Sequence, residues 1–231
     1  MMDRRTLLAA PLLTLAAPAT AQRIQAVDLE LVLAVDVSGS VDDDEYALQR
    51  QGYVDAFRSP RLHRAFFGGP IGRVAVTMLH WAGFGTHSIA VPWTMIDTPA
   101  KADAFAGAID RAPRYRWRGT SLSGAIAASH ALFGDGYEGS RLVIDVSGDG
   151  VNNSGPGPEA MRDAAVAAGI VINGLPILTD VPWLDDVYRT SVIGGPGAFI
   201  ERAVTFEAFG AAVLKKLLTE VSGVEPGSVQ V

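Results

Sequence analysis

Residues 28–57 read DLELVLAVDVSGSVDDDEYALQRQGYVDAF and predict a strand, a short loop and a helix. Residues 28–35 form a mostly apolar run rich in valine and leucine, which is typical of a buried strand. Residues 42–57 have helical character, and the acidic side chains of their first turn suit the positive end of a helix dipole. The loop between the two elements follows the carboxyl end of the strand, where α/β sheets bind their ligands.

The alternation of strand and helix continues along the chain. Two neighbouring strands are predicted at residues 72–81 and 88–93. Further helices are predicted at residues 99–111, 121–133, 158–168, 183–190 and 206–221, and further strands at residues 141–146, 170–175 and 199–204. This order predicts an α/β fold of the Rossmann-like, doubly wound type, with a mostly parallel sheet, one antiparallel edge strand and helices on both faces.

The composition is that of a globular protein of ordinary domain size. The chain has 231 residues, of which 48% are hydrophobic and 19% charged, which fits a single domain with a substantial core. The formal net charge of -6 disfavours general nucleic-acid binding. The absence of cysteine excludes disulfides, thiolate metal sites and cysteine nucleophiles.

The first residues predict a targeting segment. Arg4 and Arg5 precede a short apolar run, and Ala19-Thr20-Ala21 fits a signal-peptide cleavage site. The apolar run is too short to span a bilayer. We therefore expect a signal peptide at residues 1–21, a domain at 22–221 and a flexible tail at 222–231. The mature protein is expected in the periplasm or outside the cell, without a membrane span, and the arginine pair suggests the twin-arginine route.

Oxygen-bearing side chains alternate directly after the first strand. Asp36, Ser38 and Ser40 can point the same way if the chain stays extended, and Gly39 lets the loop approach a bound ion. A carboxylate and two hydroxyls are hard ligands that suit Mg²⁺ or Mn²⁺. The alternative is a helix cap, in which Ser40 caps the following helix and Asp43 completes a capping box.

Two later segments favour the metal site. Thr120 precedes a predicted helix, and Asp149 follows the predicted strand at residues 141–146. Taken singly, Thr120 is equally explained as a helix cap and Asp149 as part of a glycine-flanked turn. A doubly wound sheet brings both to the edge that carries Asp36.

This set of residues resembles the von Willebrand factor type A (VWA) domain. Asp36, Ser38, Ser40, Thr120 and Asp149 match the metal-ion-dependent adhesion site (MIDAS) of that family, in order along nearly the whole mature chain. Residues 36–51 and 146–153 resemble small exported bacterial members with no assigned function. One departure is Gly148, where many members have threonine.

The resemblance implies a protein-binding module rather than an enzyme. A divalent cation, Mg²⁺ or Mn²⁺ with Ca²⁺ as a further candidate, keeps one coordination position open for an Asp or Glu carboxylate of a partner protein. The alternative non-catalytic role is a purely structural ion.

A basic and aromatic loop lies directly before Thr120. Arginine and aromatic residues are favoured at binding hot spots, so we expect this loop to flank the ion and steer an anionic partner. The alternative is a solvated loop with its aromatic side chains in the core. The candidate partner-binding residues are Arg114, Tyr115, Arg116, Trp117 and Arg118.

A phosphatase is the rival hypothesis. Residues 148–153, GDGVNN, resemble an acidic motif of Mg²⁺-dependent haloacid-dehalogenase-like phosphatases, in which Asp36 would be the nucleophile. Ser38 stands where the proton-donating acid is expected, and Lys101 is the only candidate for the lysine of that site. Both features count against the enzyme.

Overall fold

The computed structural model describes residues 24–223. The strands are β1 (Gln25–Val27), β2 (Leu29–Asp36), β3 (Val74–Trp81), β4 (His87–Ile96), β5 (Tyr137–Gly139), β6 (Leu142–Gly148) and β7 (Ile170–Pro176). The helices are α1 (Asp43–Arg58), α2 (Pro60–Phe66), α3 (Pro99–Arg111), α4 (Leu122–His130), α5 (Glu159–Ala167), α6 (Leu184–Val187) and α7 (Phe209–Ser222). A π-helical turn, Tyr188–Val192, continues directly from α6.

The central sheet has five strands in the order β4-β3-β2-β6-β7. All neighbours are parallel except β3 and β4, which confirms the predicted mostly parallel sheet with one antiparallel edge strand. The carboxyl ends of β2, β3 and β6 are aligned, since Asp36 lies opposite Trp81 and Val35 lies opposite Ser147. β1 and β5 form a separate two-stranded parallel sheet.

Helices cover the sheet on both faces, as predicted. Every residue of β2 is buried, because a parallel strand covered on both sides has no solvent face. Leu31 and Leu33 pack with α1, α2, α3 and α7, whereas Val32 and Ala34 pack with α4, α5 and the π-helical turn. β2 is therefore rigid at the point where its last residue, Asp36, enters the loop.

The structure corrects several predicted elements. Residues 199–204 are not a strand, because they form only two isolated bridges, Ile200 with Gly174 of β7 and Ala203 with Ile177 just after β7. The Phe199 N–H is donated to the side chain of Asn173. The helix predicted at residues 183–190 is a four-residue α-helix followed by the π-helical turn. The last helix begins at Phe209 rather than at residue 206. The strands β1 and β5 and the helix α2 were not predicted.

The predicted signal peptide and most of the predicted tail lie in parts of the chain that the structure does not describe. The predicted signal peptide at residues 1–21 lies outside the described residues, as do residues 224–231 of the tail predicted at 222–231. Within residues 24–223, no helix is both long and apolar enough to cross a membrane.

Candidate metal centre

Three loops meet at the carboxyl edge of the sheet. Asp36 ends β2, and Asp149 follows Gly148, the last residue of the neighbouring strand β6. The backbone oxygen of Thr120 accepts hydrogen bonds from the N–H groups of Asn153 (2.9 Å) and Ser154 (3.1 Å). These bonds join the loop before α4 to the loop after β6, so that the sheet order brings the candidate residues together.

Ser40 is not the cap of α1. The N-cap is Asp42, whose side chain accepts the N–H groups of Asp44 and Glu45, and the Glu45 carboxylate accepts the Asp42 N–H in return. The predicted alternative of a capping box formed by Ser40 and Asp43 is therefore wrong. The Ser40 hydroxyl instead donates to Oδ1 of Asp149 at 2.8 Å.

Thr120 is likewise not a cap. The N-cap of α4 is Ser121, whose hydroxyl accepts the N–H of Gly124 at 3.1 Å. The Thr120 hydroxyl lies 3.4 Å from the Ser38 hydroxyl, and the Thr120 N–H is donated to Oδ1 of Asn153 at 2.8 Å. The sequence did not predict that the Asn153 side chain holds Thr120 in place.

The candidate ligands form one hydrogen-bonded group. The Ser38 N–H is donated to Oδ1 of Asp36 at 2.7 Å, and the hydroxyls of Ser38 and Ser40 lie 3.0 Å apart. Together with the bonds of Ser40 and Thr120 above, these contacts connect all five side chains. Asp36 (0% exposed), Ser38 (2%), Asp149 (1%) and Thr120 (4%) are buried, whereas Ser40 is exposed. The group is therefore open to solvent on the Ser40 side.

The two carboxyl groups are costly to bury without a cation. Burial and then the nearby charge of Asp149 raise the pKa of Asp36 from 3.8 to about 8, and burial also raises the pKa of Asp149. Among residues 24–223, Oδ2 of Asp36 and Oδ2 of Asp149 are buried and have no hydrogen-bond partner. A carboxylate pair with free, buried oxygens is stabilised by a cation that restores the lost interactions.

The donor set fits a small divalent cation. It supplies two carboxylates and three hydroxyls, which are hard oxygen ligands of the kind that Mg²⁺ and Mn²⁺ prefer. In the described part of the chain, no three histidine, cysteine, aspartate or glutamate side chains form a group that could hold a metal ion. The centre has only two such residues, so its fit to a cation depends on the hydroxyls.

Gly148 is required where it stands. A Cβ atom at this position would lie 2.9 Å from Oδ2 of Asp36 and 3.1 Å from both the Tyr188 hydroxyl and Cζ2 of Trp81. A larger side chain such as threonine at this position would therefore press against these three side chains.

The basic loop lies beside the candidate ligands. The backbone oxygen of Trp117 would lie 3.5 Å from a Cβ atom at Gly39, which places the loop against the first motif. Tyr115 and Trp117 stack with centroids 4.9 Å apart and planes 4° from parallel. Tyr115 remains 43% exposed, whereas Trp117 packs against the core.

The arginines of the loop differ in how they are held. Arg114 and Arg116 both pair with Asp43, and Arg114 also lies over the ring of Tyr46 at 4.8 Å. The Arg114 side chain is only 14% exposed, against 71% for Arg116. Arg118 is exposed. Arg114 thus anchors the loop to α1, whereas the guanidinium groups of Arg116 and Arg118 lie at the surface.

Solved structures with the same fold include several VWA-type proteins. Proximal thread matrix protein 1 from the mussel byssus aligns with a TM-score of 0.66 and 13% identity over 87% of this chain and 50% of that chain. The pilus adhesin SpaC from Lactobacillus rhamnosus GG aligns at 0.63 and 15%, over 87% and 31%. A von Willebrand factor type A protein from Catenulispora acidiphila aligns at 0.55 and 14%, over 85% and 42%.

These likenesses establish the fold. The chain spans half or less of the length of each of these proteins, and the identities are low. One structure of the mussel protein has a zinc-occupied MIDAS motif, and it aligns with a TM-score of 0.63 and 15% identity over 85% of this chain and 46% of that one.

Sequence comparisons assign the chain to a family. A search of curated proteins finds no match. The model of the family described as "Protein of unknown function (DUF1194)" matches residues 26–225, which is most of the chain. This chain, with a VWA-type fold, therefore belongs to the DUF1194 family.

Proposed function

We propose that this protein is an exported, metal-ion-dependent binding module that captures an acidic group of a partner protein. The observation that carries the proposal is the pair of buried carboxylates, Asp36 and Asp149, with free oxygens in one hydrogen-bonded group with three hydroxyls. The VWA-type fold, shared with an adhesin and with a protein whose MIDAS motif holds zinc, supports it. Export follows from the signal peptide that we propose at residues 1–21.

Each residue of the centre has a distinct task in this proposal. Asp36 and Asp149 neutralise the charge of a divalent cation, and Ser38, Ser40 and Thr120 offer hydroxyl oxygens to it. The bound cation supplies a Lewis-acidic position that a partner's Asp or Glu carboxylate fills. The exposed Ser40 side of the group is the direction from which that carboxylate approaches. Because the protein's own carboxylates already balance a divalent charge, surrounding surface must supply part of the affinity.

The loop of residues 114–118 is the surface that we assign to this role. Its exposed groups are Tyr115, Arg116 and Arg118, and Arg114 and Trp117 hold it in place. Guanidinium groups at the rim of a site increase the association rate of an anionic partner. Arg116→Ala should slow association at low salt, whereas Arg61→Ala, an exposed arginine in α2, should not. Equal association rates for the two variants would remove the loop from the proposal.

A capture experiment tests the proposed function. The immobilised protein is incubated with envelope extract in the presence of Mg²⁺ and Mn²⁺ or of a chelator, and bound proteins are identified by mass spectrometry. Asp149→Asn removes a proposed ligand, and Asp42→Asn is the matched control because asparagine also caps helices well. We expect a partner that binds the wild type and Asp42→Asn only with metal, and that Asp149→Asn loses. A partner set that is indifferent to chelator and to Asp149→Asn contradicts the proposal.

The positions of the lysines count against the phosphatase. Lys101 pairs with Asp97. Asp97 follows Ile96, the last residue of β4, and Ile96 lies opposite Val74 at the amino end of β3, away from the carboxyl edge of the sheet. Lys215 pairs with Glu201, and Lys216 is buried against Asp145 and Glu220. The chain has no other lysine. We therefore propose a binding protein without enzymatic activity, and absence of turnover of an aryl phosphate with Mg²⁺ is the expected result.

A further inference from the structure

The π-helical turn places a tyrosine beneath the candidate metal centre. Tyr188, its first residue, is fully buried and packs in the core on the face of the sheet that also holds Trp81. Its hydroxyl has no hydrogen-bond partner within residues 24–223. A π-helical turn often marks a functional position, and a buried hydroxyl without a partner is uncommon in a native core.

The Tyr188 hydroxyl and the free oxygen of Asp36 border the same space beside Gly148. Both lie about 3 Å from the position that a Cβ atom of Gly148 would occupy: Oδ2 of Asp36 at 2.9 Å and the hydroxyl at 3.1 Å. The absence of a side chain at Gly148 is therefore what allows the two groups to approach. One water between them satisfies both atoms at once.

The electrostatics agree with this proximity. After burial, the charges of Asp36 and then Asp149 are the largest influences that raise the pKa of Tyr188. A tyrosine hydroxyl is a hydrogen-bond donor at neutral pH, which is what a carboxylate needs from its neighbour. Oδ1 of Asp36 is already fixed by the N–H of Ser38 at 2.7 Å, so only Oδ2 lacks a group that orients it.

We infer that Tyr188 is a positioning residue of the metal centre, whose hydroxyl donates to Oδ2 of Asp36 through one buried water. This inference rests on the proposed metal-binding function. Since a carboxylate oxygen has two lone pairs, Oδ2 accepts this bond and still faces the cation. With both oxygens of Asp36 oriented, the carboxylate is held ready for the ion instead of being reorganised when the ion binds.

The test compares two buried tyrosines. Tyr188→Phe removes the proposed donor. Tyr53→Phe is the matched control, because Tyr53 is also buried but its hydroxyl lies 3.3 Å from that of Ser147, on the other face of the sheet. Mn²⁺ affinity is measured by calorimetric titration of both variants and the wild type. We expect at least a 10-fold loss for Tyr188→Phe, as for other groups that orient metal ligands, and less than a twofold change for Tyr53→Phe.

Two further readouts separate positioning from a general effect on folding. Metal-free Tyr188→Phe should show the wild-type circular dichroism spectrum and one cooperative melting transition, because phenylalanine keeps the ring that packs in the core. Mg²⁺ should perturb the tyrosine absorption of the wild type, and this difference spectrum should be absent from Tyr188→Phe.

The outcomes distinguish the inference from the function on which it rests. If the wild type binds Mn²⁺ and Tyr188→Phe binds it within twofold as tightly, the inference is wrong but the proposed function stands. An unchanged tyrosine spectrum on Mg²⁺ binding by the wild type overturns the inference as well. Wild-type protein that binds no divalent cation overturns the proposed function.

Discussion

Replacing Asp36 with asparagine tests two properties of this carboxyl group: the free energy that its burial costs, and its proposed role as a metal ligand. The group is fully buried, and its pKa is raised from 3.8 to about 8, chiefly by burial and next by the charge of Asp149. At pH 7 the metal-free protein therefore holds a proton there that the unfolded chain releases. Asparagine has nearly the same shape and no charge, so it removes this cost together with the proposed ligand.

The size of the effect follows from the two pKa values. The ordinary pKa of the Asp36 carboxyl group is 3.8. Keeping this group protonated in the fold at pH 7 therefore lowers the free energy of unfolding by about 4 kcal/mol, at about 1.4 kcal/mol per pH unit. We expect metal-free Asp36→Asn to be at least as stable as the wild type at this pH. A divalent cation at about 100 times its Kd stabilises the wild type by about 2.7 kcal/mol, which is a rise of about 5–10 °C in Tm for a domain of this size.

Thermal unfolding followed by circular dichroism measures both effects. The wild type, Asp36→Asn and the control Asp42→Asn are each melted at pH 7 with chelator and with excess Mg²⁺ or Mn²⁺. Asp42 is exposed, and asparagine preserves its cap of α1. We expect the metal-dependent rise in Tm for the wild type and Asp42→Asn, and none for Asp36→Asn.

Two results would refute this reasoning. If Asp36→Asn gains as much Tm from metal as the wild type, the carboxylate is not a ligand. If the metal-free variant melts well below the wild type, the carboxyl group stabilises the fold by itself, and its burial needs no cation to explain it.

Three further predictions concern pH and packing. Because the pKa of Asp36 is raised in the folded protein, the contribution of this group to stability is greatest below about pH 4 and is lost as pH rises to about 8. The unfolding free energy of the metal-free protein, measured by urea unfolding, should fall over this range. Urea midpoints that do not change with pH would contradict the pKa shift. Gly148→Ala should destabilise the protein by about 1–3 kcal/mol in urea, because its Cβ would overlap Oδ2 of Asp36; an unchanged midpoint would mean that the site has more room. Lys216→Met should cost about 3–5 kcal/mol, because it leaves the buried carboxyl groups of Asp145 and Glu220 without their cation; equal or higher stability would mean that these groups are protonated in the fold.

The fold could be predicted from sequence because its main elements have strong local signals. The apolar run of β2 and the acidic first turn of α1 predicted the first strand and helix. The later alternation of strands and helices predicted a mostly parallel sheet. β1 and β5 have three residues each and exist only by pairing Gln25–Val27 with Tyr137–Gly139, which no local pattern specifies. The helix α2 had a usable signal, since Ser59 caps it and Pro60 is its first residue.

The structure brings together the five residues proposed from the sequence, but the sequence did not predict how they bond. Ser40 and Asp42 can each cap a helix and lie only two residues apart, so only the contacts show that Asp42 caps α1. Tyr188 escaped prediction because it lies far along the chain from Asp149, in a segment that resembled an ordinary helix. Its relation to Asp36 depends on tertiary packing around Gly148, which sequence spacing does not encode.

The most direct measurement is the anomalous difference map of crystals grown or soaked with Mn²⁺. We predict a single strong peak at the carboxyl edge of the sheet, within ligand distance of oxygens from Asp36, Ser38, Ser40, Thr120 and Asp149 or of waters that they hold, and no such peak in crystals of Asp149→Asn. A map of the wild type with no peak among these five side chains, at a Mn²⁺ concentration that saturates other Mn²⁺ sites, would contradict a metal-ion-dependent binding function.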